Sequence, residues 1–186
     1  GFALGIVRSF KIPVIDQILA VYAQISRGVP IMIILLFIYA TIRMGSPYWT
    51  SITALVFVEG AYIMEIIKGG MQTVDKGQWE AARAMSLPLP VVLLRIIIPQ
   101  VMLVSLPALI GQVVLLIKGT VVASTIGCME LTREVSFLLP IYANPLVLYG
   151  YVLIIFFILC RVITVIGTRL EKKVVYRIMG DIHGTK

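Results

Sequence analysis

Charged side chains within the long apolar stretches of this sequence are the first candidates for chemistry. Glu59 lies deepest, beside Gly60 in an otherwise apolar run, while Lys118 ends one later run and Arg161 lies inside another. An ionisable group in an apolar environment is costly, so it tends to pair with an opposite charge or to contact a polar solute. Glu59 could therefore line a cavity and bind the ammonium group of a polar solute, or pair with Lys118 or Arg161. Arg161 could instead carry its charged end out of the apolar run on its long side chain.

Two other acidic residues stand close to basic ones. Glu65 precedes Lys68 by three positions, a spacing that favours an ion pair on one face of a helix. Glu130 precedes Arg133 by the same distance, outside the long apolar runs. An acid and a base at this spacing could bind the two opposite charges of a small zwitterion. Helix capping and mutual pairing on a re-entrant segment explain Glu130 and Arg133 equally well, so both interpretations stay open.

The sequence contains none of the usual catalytic or metal-binding patterns. It has no G-x-x-x-x-G-K-[ST] phosphate loop, so we expect the chain to hydrolyse no nucleotide. His183 is its only histidine, and Cys128 and Cys160 are isolated, so neither a zinc site nor a disulfide framework is indicated. An intramembrane enzyme would need a nucleophile with a base, or clustered His and carboxylate groups. We therefore expect neither enzymatic activity nor a cofactor in this chain.

The composition predicts the kind of element that positions these residues. The chain has 186 residues, of which 60% are hydrophobic and only 13% are charged, and its mean hydropathy is +1.02. Soluble domains carry about 25% charged residues, so this chain has about half the charge that a water-exposed surface needs. Helices satisfy their own backbone hydrogen bonds in lipid, which predicts an all-α polytopic transmembrane bundle. No internal repeat or low-complexity linker divides the sequence, and we expect one domain over residues 1–186.

Four apolar segments are long enough to cross a bilayer, which takes roughly 17 to 25 helical residues. They cover about residues 29–45, 52–67, 101–117 and 146–168. Residues 91–98 are also apolar, but Arg95 and Pro99 interrupt them, which predicts a short separate helix before the third span. Residues 1–7 form a further apolar segment that is too short to cross a membrane.

A polar stretch separates the second span from the third. Residues 77–87 (GQWEAARAMSL) predict a short helix that is too polar to cross a membrane, and the prolines that follow end it. Asp75 can favour the start of this helix electrostatically. Glu80 and Arg83 lie three positions apart on one face, a weakly stabilising pair. Composition alone predicts an interfacial connector between two membrane helices.

The basic residues are distributed unevenly between the two sides of the membrane. Twelve of the sixteen Lys and Arg residues fall on the side of the polar stretch, and only Arg43, Lys118 and Arg133 fall on the other. Cytoplasmic loops carry an excess of Lys and Arg, so the polar stretch and the C-terminus are predicted to be cytoplasmic. The net charge of +7 is thus spread along a membrane face, where it favours anionic lipid and argues against nucleic acid as a partner.

The polar stretch resembles the EAA loop of ABC importer permeases, whose pattern is E-A-A-x3-G-x9-I-x-L-P. Here EAA at 80–82, Ser86 and IIIP at 96–99 have this spacing, with Ser86 in place of the glycine and Ile98 in place of the leucine. Serine is less suited than glycine to a turn with positive φ at that position. Three further runs follow the order of the polar amino-acid subfamily: SRGVP at 26–30, AYIMEIIKGG at 61–70 and ELTR at 130–133. The resemblance extends from about residue 8 to about residue 173.

The resemblance implies a fold like that of type I ABC importers and a cytoplasmic coupling loop at residues 77–99. The residues that correspond to its docking positions are Gly77, Glu80, Ala81, Ala82 and Ser86. Members of the family work as two permease subunits, identical or homologous, in the cytoplasmic membrane of a prokaryote. Two ATP-binding cassette subunits hold the ATP and Mg²⁺, and an extracytoplasmic solute-binding protein delivers the substrate. Because the family begins with a further membrane helix, we expect residues 1–7 to be the end of a fifth span.

For the substrate, the resemblance implies a polar amino acid of the His, Arg, Glu or Gln type. Relatives often have K-D-T-S where this chain has K-G-T-V at 118–121, and the missing aspartate removes a possible partner for a cationic substrate. The candidate residues of the substrate path are Glu59, Lys118, Glu130 and Arg133. Another small organic solute, such as an opine or a cystine-like compound, is the alternative within the family. A gradient-driven carrier or channel is the alternative outside it.

Overall fold

The computed structural model describes residues 1–42 and 44–183. Arg43 and Lys186, which the charge analysis assigns to opposite sides of the membrane, lie outside the described residues. The described part consists of helices and short connections and contains no strand, as the predicted all-α fold requires. In chain order the elements are α1 (Phe2–Ser9), α2 (Pro13–Gly28), α3 (Ile31–Thr41), α4 (Pro47–Gln72), α5 (Lys76–Ala84), α6 (Leu89–Val91), a π-helical segment (Val92–Ile97), α7 (Ile98–Gly119), a 3₁₀ segment (Thr120–Ile126), α8 (Leu131–Tyr142) and α9 (Pro145–His183).

Three stretches of helix are long and apolar enough to cross a membrane. They are α4, the helical stretch Leu89–Ile126, and α9 as far as Val174. The second, third and fourth predicted spans lie within these stretches. α4 has 26 residues and is therefore about 39 Å long, which exceeds the roughly 30 Å of a bilayer's hydrocarbon core. The chain is thus an integral membrane protein with polar residues at the ends of its long helices.

The first predicted span, at residues 29–45, does not form one straight helix. α3 has 11 residues, about 16 Å of helix, which is roughly half the hydrocarbon thickness of a bilayer. α2 and α3 meet at a bend of 106°, where Val29 is extended with φ −102° and ψ 132°. Pro30 causes this break, because a proline disfavours helical backbone in the residue before it. The described residues therefore provide three spans, or four if α2 and α3 cross the membrane as one bent pair.

The predicted separate helix at residues 91–98 is continuous with the third span. α6, the π-helical segment and α7 follow one another without interruption. In the wider π-helical turn, the amide of Ile98 donates to the carbonyl of Leu93, five residues back. Pro99 is the second residue of α7, and the wider turn accommodates it although it has no amide to donate. Arg95 does not break the helix because its side chain is exposed.

α4 lies at the centre of the packing, in contact with α1, α2, α3 and α7. Within its most apolar window 44% of the residues are buried inside the chain, against 6% for α9. Met64 and Ile67 of α4 are fully buried, as are Leu35 of α3 and Val101 of α7. α4 is therefore the core helix of the chain, whereas α9 presents an apolar surface outward.

Glycines allow α1 and α7 to approach α4 closely. A Cβ atom at Gly5 would lie 2.7 Å from Cβ of Ile67, and a Cβ atom at Gly70 would lie 3.0 Å from Cγ1 of Val101. A Cβ atom at the neighbouring Gly69 would meet nothing within 4 Å. Small residues at helix contacts are the usual means of close packing in membrane proteins, so Gly5 and Gly70 position the two helices against α4.

Candidate functional site

Asp75 fixes the N-terminus of α5. Its Oδ1 accepts a hydrogen bond of 2.7 Å from the amide of Gly77, which is the geometry of an N-cap aspartate. From the sequence, Asp75 was expected to contribute only electrostatically. A side-chain cap of this kind stabilises a helix by roughly 0.5 to 2 kcal/mol, so α5 begins at a defined residue.

The C-terminus of α5 is closed by a Schellman motif centred on Ser86. Ser86 has φ +51°, and its amide donates a 2.9 Å hydrogen bond to the carbonyl of Arg83. The amide of Leu87 donates a 3.1 Å bond to the carbonyl of Ala82. These two bonds define the motif, whose left-handed residue is usually glycine. The turn with positive φ that the glycine of the EAA pattern implies is thus present, with a serine in it.

α5 has one exposed face and one buried face. Gly77, Glu80 and Ala81 are exposed, whereas Ala82 is only 4% exposed and packs in one apolar cluster with Met71 and Val92. The family resemblance implied that a partner contacts Ala82. Its side chain is instead covered by its own chain, because the turn after α5 folds the start of the next helix over it. Ala82 therefore attaches α5 to the bundle, and its neighbours Glu80 and Ala81 face outward.

Trp79 provides the second attachment of α5. Its ring meets Phe10 edge-on, with 6.3 Å between the ring centroids, and it packs against the same apolar cluster as Ala82. Glu80 and Arg83, predicted as a pair, are both exposed and form no ion pair within the described residues. An exposed pair of this spacing contributes only a few tenths of a kcal/mol, which is too little to hold two long side chains together.

Glu59 is bound to a neutral partner. It is 9% exposed, and its Oε2 accepts a 2.6 Å hydrogen bond from Nε2 of Gln112 on α7. Neither Lys118 nor Arg161, the partners considered from the sequence, forms an ion pair with it in the part of the chain that the structure describes. Gln112 was not predicted as a partner from the sequence, although a polar side chain inside an apolar span is itself a signal of interhelical hydrogen bonding.

Glu59 lines an open cavity of about 410 Å³ between α2, α3, α4 and α7. Gln112 and Tyr62 contribute to the same cavity, and so do Ser26 and Arg27 at the end of α2. This volume is within the range of 300 to 1,000 Å³ that is common for small-molecule sites. The arrangement places a carboxylate, an amide, a phenol, a hydroxyl and a guanidinium around one space, which suits a small polar solute.

Glu65 belongs to a separate ion-pair network. It pairs with Arg8 of α1, and its Oε2 lies 3.5 Å from an NH1 atom of Arg27. Arg8 is 7% exposed and also binds Asp16, with 3.1 Å between Nε and Oδ1. The predicted pair between Glu65 and Lys68 is therefore wrong, because two arginines from other helices take up the carboxylate. Across residues 1–42 and 44–183, no group of three His, Cys, Asp or Glu side chains could hold a metal ion.

Glu130 caps α8. Its carboxylate accepts hydrogen bonds from the amides of Thr132, at 3.0 Å, and Arg133, at 2.8 Å. The guanidinium of Arg133 lies over the ring of Phe137, 5.2 Å from its centroid. Lys118 is exposed near the end of α7. The capping interpretation of Glu130 thus matches the geometry, and none of Lys118, Glu130 and Arg133 lines the cavity that contains Glu59.

Known proteins resemble this chain over nearly its whole length. The glutamine transport system permease protein of Escherichia coli is 28% identical over 179 residues, which cover 93% of this chain and 82% of the relative. The arginine transport system permease protein of Bacillus subtilis is 29% identical over 189 residues, with coverages of 93% and 83%. Both relatives therefore align with the helices that carry the EAA stretch and the cavity.

A solved structure has the same fold. It is described as an amino acid ABC transporter with histidines, and it superposes with a TM-score of 0.81 at 26% identity over 92% of this chain and 84% of the solved one. The family described as "binding-protein-dependent transport system inner membrane component" matches residues 1–176. This match includes all the described helices from α1 to α8 and most of α9. The chain therefore belongs to the family of inner membrane components of binding-protein-dependent transport systems.

Proposed function

We propose that this chain is the permease subunit of an ATP-driven ABC importer that moves polar amino acids across the cytoplasmic membrane. Relatives named as glutamine and arginine permeases support the substrate class, and so does the amino acid transporter of the same fold. An opine, a cystine-like compound or another small organic solute is the competing substrate class. The polar lining of the cavity around Glu59 is compatible with either, since both carry charged groups.

The outward face of α5 carries this proposal. Asp75 and the Schellman motif fix the two ends of α5, and Ala82 and Trp79 fix its inner face to the bundle. Gly77, Glu80, Ala81 and Ser86 are left exposed on the other side. A short helix held in this way moves as one body with α4 and α7, so a partner that binds its outer face can transmit movement to the membrane helices. We assign this face to contact with the ATPase subunit.

The partners follow from this assignment. Two ATP-binding cassette subunits would bind ATP and Mg²⁺ and hydrolyse the nucleotide, while a second permease subunit, the same or homologous, would complete the path. An extracytoplasmic solute-binding protein would deliver the substrate. The excess of Lys and Arg on the α5 side supports a cytoplasmic location of α5 and of the C-terminus, next to anionic lipid.

For the substrate path we propose the cavity that contains Glu59, with its carboxylate as a binding group for a substrate ammonium. Lys118, Glu130 and Arg133 lie at or after the C-terminal end of α7, whereas α5 precedes its N-terminal end. They remain candidates for the outer mouth of the path. The capping role of Glu130 and the stacking of Arg133 on Phe137 make these two residues structural as well.

The experiment that tests the coupling assignment is co-purification of the permease with its ATPase. The variant Glu80→Lys reverses an exposed charge on the outer face of α5, and Glu134→Lys makes the same change at an exposed residue of α8. We expect Glu80→Lys to abolish substrate-stimulated ATP hydrolysis without loss of membrane expression, and Glu134→Lys to retain the associated ATPase and its stimulation. If no ATPase accompanies the wild type, or if Glu80→Lys behaves like the wild type, a carrier or channel becomes the better assignment.

A further inference from the structure

The break between α2 and α3 opens into the cavity with an uncapped helix N-terminus. Val29, Pro30 and Ile31 all line the cavity, and α3 has neither a side-chain cap nor an acidic residue in its first turn. The amides of Ile31 and Met32 donate to no acceptor among the described residues. A helix N-terminus carries a partial positive charge and free amide donors, so this end of α3 lacks an anionic partner.

Arg27 places a full positive charge at the same break. Its side chain is 47% exposed, and its contact with Glu65 is a single approach of 3.5 Å. Its guanidinium also lies over the ring of Tyr62, 5.7 Å from the centroid. A guanidinium has five N–H donors and Arg27 lines the cavity, so donors that Glu65 does not use remain for a ligand. The contact with Tyr62 limits the movement of the group.

Ser26 supplies an independent observation that points to a ligand. It is 1% exposed, it lines the cavity, and its Oγ has no hydrogen-bond partner in the described part of the chain. Buried hydroxyl groups nearly always have a partner. A buried hydroxyl without a partner, on a residue that lines the same cavity as Arg27 and Ile31, is what a bound acceptor would satisfy.

We propose that the break between α2 and α3 binds the α-carboxylate of the transported amino acid, through Arg27, Ser26 and the first amides of α3. This inference rests on the proposed function and adds the part of the site that binds the negatively charged carboxylate. Carboxylates bind well at helix N-termini and to guanidinium groups through paired charge-assisted bonds. Glu59 on α4 lines the same cavity and takes the α-ammonium group. The permease thus recognises the zwitterionic part that all amino acids share, and the side chain extends into the rest of the cavity.

The test is ligand binding to the purified complex of permease and ATPase in detergent, without the solute-binding protein, whose own selectivity would mask that of the permease. The probes are L-glutamine and L-arginine, each compared with its α-carboxamide, which keeps the ammonium group and the side chain but lacks the negative charge. We expect the wild-type complex to bind each amino acid roughly ten- to a hundredfold more tightly than its amide, as the loss of charged hydrogen bonds implies.

Arg27→Gln should remove this preference for the free carboxylate, and Arg27→Lys should retain part of it. Ser26→Ala should weaken binding of both amino acids roughly two- to tenfold, as the loss of a neutral hydrogen bond implies. The matched control is Arg8→Gln, which deprives Glu65 of its other arginine but lies outside the cavity. If Arg27 served only to pair with Glu65, both variants would lower thermal stability, Arg8→Gln more because Arg8 also binds Asp16, and both would keep the preference.

The outcomes separate this inference from the proposed function. The carboxylate site is overturned if the wild type binds an amino acid and its amide with equal affinity, or if Arg27→Gln keeps the preference for the amino acid. Either result is still compatible with an amino-acid permease. Failure of the wild-type complex to bind any polar amino acid refutes the proposed substrate class and the carboxylate site together. Binding of the amino acids, discrimination against the amides and loss of discrimination in Arg27→Gln support both.

Discussion

The side-chain amide of Gln112 donates a 2.6 Å hydrogen bond to the carboxylate of Glu59 across the contact between α7 and α4. Both residues are buried. Gln112 is uncharged, so it satisfies one oxygen of Glu59 without neutralising the charge, and no ion pair to Glu59 occurs within the described residues. The carboxylate is thereby held at a fixed position in the cavity wall, where it can still attract a cationic group.

Glu59→Gln should therefore separate binding from folding. A glutamine at this position can keep the hydrogen bond to Gln112 but cannot attract an ammonium group. We expect the affinity of the purified complex for L-glutamine to fall roughly ten- to a hundredfold, with thermal stability close to that of the wild type. Radioligand binding and thermal denaturation measure the two effects. An unchanged affinity would remove Glu59 from the proposed substrate path.

Ala81 and Ala82 should respond differently to the same substitution. Ala82→Leu adds three carbons to a filled apolar cluster and should destabilise the protein by about 1 to 3 kcal/mol. Ala81→Leu changes an exposed residue and should alter stability by less than about 0.5 kcal/mol, yet it should weaken retention of the ATPase because it faces the proposed docking partner. Thermal denaturation and co-purification distinguish the two. Equal destabilisation by both changes would contradict the assignment of faces on α5.

Ser86→Gly should stabilise the end of α5. The left-handed backbone at Ser86 costs a residue with a Cβ atom roughly 1 kcal/mol, and glycine lacks this cost. We expect the glycine variant to denature at a higher temperature and to retain ATPase coupling. Ser86→Ala keeps the Cβ atom and the strain and should show no gain. A decrease in stability on Ser86→Gly would indicate that the serine hydroxyl has a role that the backbone geometry does not reveal.

Gly69 and Gly70 form a matched pair on α4. A methyl group at Gly70 would overlap the hydroxyl of Ser105 and press on Val101, so Gly70→Ala should cost about 1 to 3 kcal/mol of stability. Gly69→Ala meets open space and should be neutral or stabilising by up to about 1 kcal/mol, since alanine favours helix. Thermal denaturation of the two variants measures the difference. The packing of α4 against α7 would be wrong if both tolerated alanine equally.

Glu65→Gln should weaken the contact between α1 and α4. The change leaves Arg8, which is buried, with Asp16 as its only acidic partner among the described residues. We expect a loss on the order of 1 to 3 kcal/mol, typical of a hydrogen bond to a charged group. Lys68→Gln is the control, because Lys68 forms no ion pair in the described part of the chain. A larger loss of stability on Lys68→Gln than on Glu65→Gln would instead support the ion pair between Glu65 and Lys68 that was predicted from the sequence.

The long helices could be predicted from the sequence because they depend on local composition. Apolar runs near residues 52–67 and 146–168 led directly to α4 and α9, although both helices extend further at their ends. The bend before α3 was not predicted. Gly28, Val29 and Pro30 were used only as part of a family motif, and the break that Pro30 causes in the helix was missed. In the same way, an internal proline at position 99 does not end a helix whose turn widens to accommodate it.

The partners of the charged residues could not be predicted. Arg8 and Glu65 are 57 positions apart and meet only because α1 packs along α4. Local spacing suggested Lys68 for Glu65, and opposite charge suggested Lys118 or Arg161 for Glu59, whereas tertiary packing supplied Arg8 and Gln112. At Ser86 the family pattern marks a position where glycine would suit a turn with positive φ, and the serine there adopts such a turn although it is less suited to it.

The π-helical segment absorbs one additional residue without changing the direction of the helix on either side of it. Its hydrogen bond from Ile98 to Leu93 spans five residues, where an ordinary helix spans four, so the widened turn holds that residue within a single turn. Deleting one residue between Val92 and Ile97 would therefore restore ordinary helix and leave α5 facing its present direction. A deletion in the regular helix of α7 would instead rotate everything before it by roughly 100°. A redesign of this connection can therefore lose one residue only at the π-helical segment.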